Sequence, residues 1–327
     1  TYGGVRGRRL ITSSYSIMCV DMGDYPFFVE VYILSDNKSL QMEIDAKALL
    51  GEGPCWDADE QILYWVDIPN KSLHIYDTKT KTDKAVNLNK QISSVVVRES
   101  GGLVVTMENG IHFFDVDSNT LDLIVDPESD IPGNRFNDGK CDPEGRFWAG
   151  TMSFDESEGA GSLYLLNSDL SISKVKENVT ISNGITWSPD YRVMYYVDSP
   201  TKQVVAYDYN ISTGEISNER VVITIPDGEG LPDGITSDLE GNIWIAHWDG
   251  GKVSRWNPMT GKLLDFISIP VSKVTSCIFG GENLNELYIT TASIGLDDKG
   301  WEHEPHAGGV FRLMTNIQGM PTFKFKG

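Results

Sequence analysis

Apolar residues fall along this chain in short runs broken by Gly, Pro, Asn and Asp, and nowhere do they keep a 3.6-residue spacing over a dozen positions. That pattern predicts strands rather than helices. The strand signal also recurs. An apolar residue followed by an aromatic or β-branched one, or by a second apolar one, stands at Leu63-Tyr64, Leu103-Val104, Phe147-Trp148, Met194-Tyr195, Ile243-Trp244 and Leu287-Tyr288, at intervals of 40 to 49 residues. Before most of these lies a tight-turn signal, such as Asp142-Pro143-Glu144-Gly145, Ser188-Pro189-Asp190 or Asp238-Leu239-Glu240-Gly241. After most comes a second β-rich run, such as Leu73-His74-Ile75-Tyr76 or Val253-Ser254-Arg255-Trp256.

Six units of about 45 residues, each long enough for four strands, predict an all-β, six-bladed β-propeller. Two packed sandwiches would not produce so regular a period. The propeller is assigned to residues 41–327, and residues 1–40 stand outside the repeat as an N-terminal extension of unknown role, native or not. Met42-Glu43-Ile44-Asp45-Ala46 reads as a strand that precedes the first unit. It is expected to pair into the last blade and close the ring.

Charge narrows the function classes. The chain carries 47 acidic and 27 basic side chains, a net charge of −20, and the first 40 residues are balanced at four of each sign, so the excess belongs to the propeller. Such a surface repels a polyanion, which argues against a nucleic-acid partner. No apolar run reaches the roughly 18 residues of a membrane span; the longest, Tyr25–Leu34, is interrupted by Glu30. Arg6, Arg8 and Arg9 are not followed by the continuous apolar stretch of a secretory signal, so a cytoplasmic protein is expected, monomeric or weakly self-associating. Cys19, Cys55, Cys141 and Cys277 lie far apart with no CxxC pair and read as reduced thiols, which leaves the sequons at Asn37, Asn70, Asn178 and Asn210 unused.

The candidate chemistry emerges when the units are aligned. Counting 10 or 11 residues back from the repeated pair gives Glu52, Asn137, Asn183 and Asp233 in units one, three, four and five, with Ser93 and Ser276 near the same phase in units two and six. Gly follows directly at Glu52-Gly53, Asn183-Gly184 and Asp233-Gly234, and one step later in Asn137-Asp138-Gly139. Equivalent positions of successive blades meet at the axis, so two carboxylates and two amide oxygens converge there. These are hard donors, suited to Ca²⁺, Mg²⁺ or Mn²⁺, with Zn²⁺ also accepting carboxylates. Arg135, two residues before Asn137, adds a fixed positive fork beside the same mouth.

The ordered set Leu50-Gly51-Glu52-Gly53-Pro54-x-Trp56, Arg135-Phe136-Asn137-Asp138-Gly139-Lys140-x-Asp142-Pro143, Ile181-Ser182-Asn183-Gly184, Pro232-Asp233-Gly234 and Thr275-Ser276-Cys277-x-Phe279-Gly280-Gly281 resembles the SMP-30, gluconolactonase and luciferin-regenerating-enzyme (regucalcin-like) family over residues 41–317. The resemblance implies a six-bladed propeller with one axial divalent metal ion held by Glu52, Asn183 and Asp233. It implies Asp233 as general acid/base, and Arg135 and Asn137 as holders of the substrate's oxygens, with Asp138 alongside. After Gly150-Thr151-Met152 it implies a further acid for sugar hydroxyls, a role open to Asp155 or Glu156. The expected activity is opening of a small sugar lactone such as gluconolactone. Two other readings compete: a calcium-binding regulatory protein and a non-catalytic propeller scaffold.

Other motifs are weaker. Asp115-x-Asp117-x-Asn119 imitates an EF-hand loop, but Thr120 stands where Gly is required. Glu302-His303-Glu304-Pro305-His306 is not HExxH and reads as a loop over the propeller top. The isolated His74, His112 and His247 read as packing residues, and the sequence holds no GxSxG elbow or P-loop.

Overall fold

The computed structural model describes residues 40–327 throughout and, ahead of them, the backbone of three antiparallel strands at Arg9–Thr12, Tyr15–Val20 and Phe27–Val31. The sequence readings at Cys19, Asn37 and the side chains of residues 25–34 lie outside the described set. From residue 40 onward the chain forms six four-stranded antiparallel sheets, the blades of a propeller. Short β-branched and aromatic runs, separated for the most part by tight turns, leave each sheet one face for either neighbour, and radial packing buries both.

The first strand of every blade lies innermost. These strands are Gly51–Asp57, Ile92–Val97, Asn134–Cys141, Ser182–Trp187, Leu231–Ser237 and Val274–Gly280, and each touches the next around the ring. They are almost wholly buried, whereas outer strands such as Thr82–Asn87 and Ile172–Val179 are largely exposed. The core therefore lies between blades, in clusters such as the edge-on group Trp148, Trp187 and Tyr209.

Ring closure follows the expected route. Leu40–Ile44 pairs with Val310–Met314, placing Val310 opposite Ile44 and Leu313 opposite Leu40, as the outer strand of the last blade. A second closure was not visible in the pattern: beyond the last blade the chain runs as a strap beneath the ends of the inner strands. Met320 N donates to Ser237 O at 3.0 Å, Phe325 N to Val97 O at 2.8 Å and Lys326 N to Gly145 O at 3.0 Å. Phe325 is fully buried in the cluster shared by the first three blades.

The segment expected as a loop at Glu302–His306 differs in part. Residues Asp298–His303 form a short helix whose N-cap, Asp297, accepts from Gly300 N at 2.8 Å, and the helix stops just before Pro305. Pro305 lacks the N–H needed to continue, which sets the end of the helix.

Candidate active site

All inner strands run the same way, starting at one end of the axis and finishing at the strap. At the starting end lies an open cavity of about 140 Å³ lined by Glu52, Arg135, Asn137, Asn183 and Asp233. Glu52, Asn137, Asn183 and Asp233 form its floor, and each lies at an interruption of strand pairing: the register shifts between Glu52 and Cys55, Phe136 and Gly139, Ser182 and Ile185, and Pro232 and Ile235. Such bulges turn a side chain out of the sheet, here toward the axis. The Gly after the floor residue serves close approach. A Cβ on Gly184 would lie 2.7 Å from Asp233 O and one on Gly234 would lie 2.0 Å from Ser276 Oγ, so only Gly lets neighbouring inner strands draw together.

Aspartates at the ends of second strands hold the chain that leads into the floor. Asp67 accepts from Leu49 N and Leu50 N at 3.0 and 3.2 Å, and Asp198 accepts from Thr180 N and Ile181 N at 3.0 and 2.9 Å. The amides are then oriented. Asn183 Nδ2 donates to Ser199 Oγ at 3.0 Å and Asn137 Nδ2 donates to Ser182 O at 2.8 Å. Arg135 Nη1 donates to Asn137 Oδ1 at 2.8 Å and to Phe136 O at 2.9 Å.

What remains on the floor is a surplus of acceptors. Asn183 Oδ1 and Asp233 Oδ1 are buried with no hydrogen-bond partner, and Glu52 Oε2 accepts from Gly53 N at 2.8 Å. Burial, and then the charge of Asp138, push the Glu52 carboxyl up to about 8. Asp233 is raised well above its ordinary value, first by burial and then by Glu52. Arg135 is lowered to about 10 by burial, against the pull of Glu52 and Glu156. Two buried carboxylates and an unpartnered amide oxygen are a donor set short of a cation, and an oxygen-preferring divalent ion fits it. No third His, Cys, Asp or Glu joins the cluster among the described residues, so the third ligand would be the Asn183 amide.

The remaining site residues separate. Glu156 lines the cavity as an exposed side chain. Asp155 does not line it: its Oδ1 accepts from Ser157 Oγ at 2.8 Å at the surface. Asp138 also lies off the cavity wall. It is buried on the axis, where its Oδ1 accepts from Gly139 N at 2.7 Å and its charge acts on Glu52, Asp233 and Lys140. Asn137 lines the cavity, accepting from Arg135 Nη1 and donating to Ser182 O, with one N–H and one oxygen lone pair left over. Ser93 bonds to Thr106 and takes no part. Leu50, Met152, Ile181, Leu231, Trp248 and Ser199 also line the cavity and were not singled out from the sequence. A usable signal existed for three of them, since Leu50, Ile181 and Leu231 each stand two residues before a floor residue and share its strand face.

The profile of the SMP-30/gluconolactonase/LRE-like region matches residues 50–293, a stretch that holds every residue of the floor. The chain belongs to this family. Among curated relatives, YvrE of Bacillus subtilis, named as a candidate sugar lactone lactonase, is 38% identical over 286 residues, 88% of this chain and 98% of its own length. Regucalcin of Homo sapiens is 39% identical over 283 residues, 85% of this chain and 95% of its own length. Among solved structures, a luciferin-regenerating enzyme superposes with a TM-score of 0.83 at 36% identity, covering 88% of this chain and 99% of its own. The family members share the propeller; their names cover more than one activity. No helix among the described residues is long and apolar enough to cross a membrane.

Proposed function

We propose that this protein is a lactone hydrolase that works with one divalent cation held by Glu52, Asn183 and Asp233. The observation that carries the reading is the pair of buried, unpartnered oxygens, Asn183 Oδ1 and Asp233 Oδ1, on the floor of a cavity walled by Arg135. A calcium-binding protein needs the floor but has no use for the guanidinium. The names of relatives place sugar lactones on the panel of substrates.

When bound, the cation supplies a Lewis acid for the lactone carbonyl and lowers the pKa of a water molecule. The chain supplies the rest. Both recorded bonds of Arg135 leave from Nη1, so Nε and Nη2 remain to donate to the lactone's oxygens and orient the ring. Asp233 takes a proton from the attacking water and returns it to the ring oxygen as the acyl C–O bond breaks, so lactone and water become one hydroxy acid. Asn137 fixes the guanidinium plane, and the Ser199 bond turns the Asn183 oxygen toward the floor.

The test is to strip the protein with chelator, add back Ca²⁺, Mg²⁺, Mn²⁺ or Zn²⁺ in turn, and follow lactone opening by wild type and Arg135→Ala. Turnover restored by metal, and lowered about 100-fold or more in Arg135→Ala with cation binding intact, is expected. Stoichiometric cation binding without opening of any lactone would favour the calcium-binding regulatory reading instead.

A further inference from the structure

A ring of side chains stands one step above the floor. Strand residues two apart point to the same side, so the wall above Glu52, Asn137, Asn183 and Asp233 is set by Leu50, Arg135, Ile181 and Leu231, and all four line the cavity. Cross-strand partners extend that wall. Met152 lies opposite Arg135 and Trp248 lies opposite Leu231, and both also face the cavity. Lys273 Nζ sits 5.6 Å from the centre of the Trp248 ring and helps to fix the indole at the rim.

The wall offers few polar side chains to a ring of hydroxyls, set among the apolar Leu50, Met152, Ile181, Leu231 and Trp248. Asn137 already gives one oxygen lone pair to Arg135 and one N–H to Ser182 O, and Ser199 Oγ already accepts from Asn183, so each keeps only part of its hydrogen-bonding capacity. Against the apolar side chains stand Arg135, the exposed Glu156 and the unused capacity of Asn137 and Ser199 as the polar groups a substrate oxygen can meet beyond the other floor residues. A polyhydroxylated lactone bears a hydroxyl on nearly every ring carbon. Most of these would be desolvated against Leu50, Ile181, Leu231 and Trp248 with no hydrogen bond in return, which disfavours binding. An alkyl or aryl substituent instead gains by leaving water at the same surfaces.

We propose that the cavity selects lactones carrying an alkyl or aromatic substituent over polyhydroxylated sugar lactones. This rests on the lactonase reading of the site. The lactone group faces the floor and Arg135, and the substituent lies along the side formed by Leu231 and Trp248.

The experiment compares kcat/KM of the metal-loaded protein for δ-gluconolactone, unsubstituted δ-valerolactone, an alkyl-substituted δ-lactone and dihydrocoumarin. Values at least about tenfold higher for the alkyl or aryl lactones than for δ-gluconolactone are expected. Trp248→Ala should lower kcat/KM for the alkyl lactone about tenfold, mostly through KM, and leave δ-valerolactone nearly unchanged, with Trp248→Phe restoring most of the loss. Equal or better use of δ-gluconolactone overturns the proposal. In parallel, calorimetry measures binding of two rings that cannot be opened, an alkylcyclohexanone and a polyhydroxylated cyclohexanone. If no lactone is opened, the lactonase reading fails, and tighter binding of the alkyl ring still upholds the selectivity; equal or weaker binding of the alkyl ring overturns it.

Discussion

The two ends of the inner strands hold buried carboxylates of opposite character. At the strap end Asp142 accepts from Arg146 Nε at 2.7 Å, Trp148 Nε1 at 3.0 Å, Tyr209 OH at 2.7 Å and Arg146 N at 3.0 Å. Asp238, two blades on, accepts from Trp244 Nε1 at 2.9 Å, Arg255 Nε at 2.8 Å and Asn242 N at 2.9 Å. At the cavity end Glu52 has Gly53 N and the Asp233 carboxyl as partners, and Asp233 is met by the Asn183 amide and Gly234 N. No cationic side chain among the described residues hydrogen-bonds either, and Asp233 Oδ1 is left without a partner. Residue type and burial are alike at both ends; the supply of donors differs. A buried carboxylate saturated with donors holds turns and strands together, whereas one left short is tolerated only as the neutral acid or beside a cation. The shortage therefore marks where a ligand belongs.

Truncating one member of each set gives the largest expected effect. Asp233→Ala should lower kcat/KM about 10³-fold and leave stability equal or slightly higher, because it removes a buried carboxyl that burial and Glu52 disfavour in its charged form and whose Oδ1 has no partner. Asp142→Ala should do the reverse: it leaves the buried Arg146 guanidinium without its carboxylate and costs about 3–5 kcal/mol, while turnover per folded molecule stays near wild type. Lactone kinetics and urea unfolding on both variants check the pair. An unfolded Asp233→Ala, or a stable but inactive Asp142→Ala, breaks the comparison.

A pH profile sharpens it further. The Glu52 carboxyl sits at about 8 in the fold against an ordinary value of 4.5, so the native state binds its proton more tightly than the unfolded chain does. The stability this contributes is complete below about 4.5 and is lost as pH rises through about 8. Asp233 is shifted in the same direction. The Tm of metal-free protein should thus fall between pH 5 and pH 8, and a divalent cation should remove most of the fall. Glu52→Gln should flatten the metal-free profile. A metal-free Tm that is level or rising across that window would show that the floor carboxylates are already compensated.

The propeller and the floor were legible because both follow the repeat. Six blades impose one phase on the chain, and Glu52, Asn137, Asn183 and Asp233 share it, so alignment of the units alone brings them together. The closing strand was legible for the same reason, since residues 42–46 are β-patterned but precede the first unit. The strap carries no such signal, because the contacts of Met320 and Phe325 are made once and to different blades. Local hydrogen bonding was equally silent: Asp138 shares the Asn137-Asp138-Gly139 motif and the same bulge, yet its side chain turns to Gly139 N and stays off the cavity wall, and Asp155 is drawn aside by Ser157. Ser199 was missed because it lies on a short 3₁₀ turn, Ser199–Thr201, outside the strand phase.

Ser199 supplies the smallest of the expected effects. A carboxamide has an oxygen and a nitrogen of nearly the same size, and only a neighbour decides which end faces the floor. Here Nδ2 donates to Ser199 Oγ, which leaves Oδ1 buried and free. Ser199→Ala deletes that acceptor without touching the floor, and Asn183 can then turn its nitrogen inward when no cation is present. The cation must reverse that turn, so its affinity should weaken about tenfold, while kcat at saturating cation stays near wild type because the occupied floor itself imposes the oxygen-in orientation. Ser199→Thr, which keeps the hydroxyl, should restore most of the affinity. Titration of chelated protein with Ca²⁺ or Zn²⁺ and kinetics at saturation separate the two quantities. A loss of kcat that extra cation cannot rescue would mean that Ser199 does more than orient Asn183, and would place it among the groups that meet the substrate.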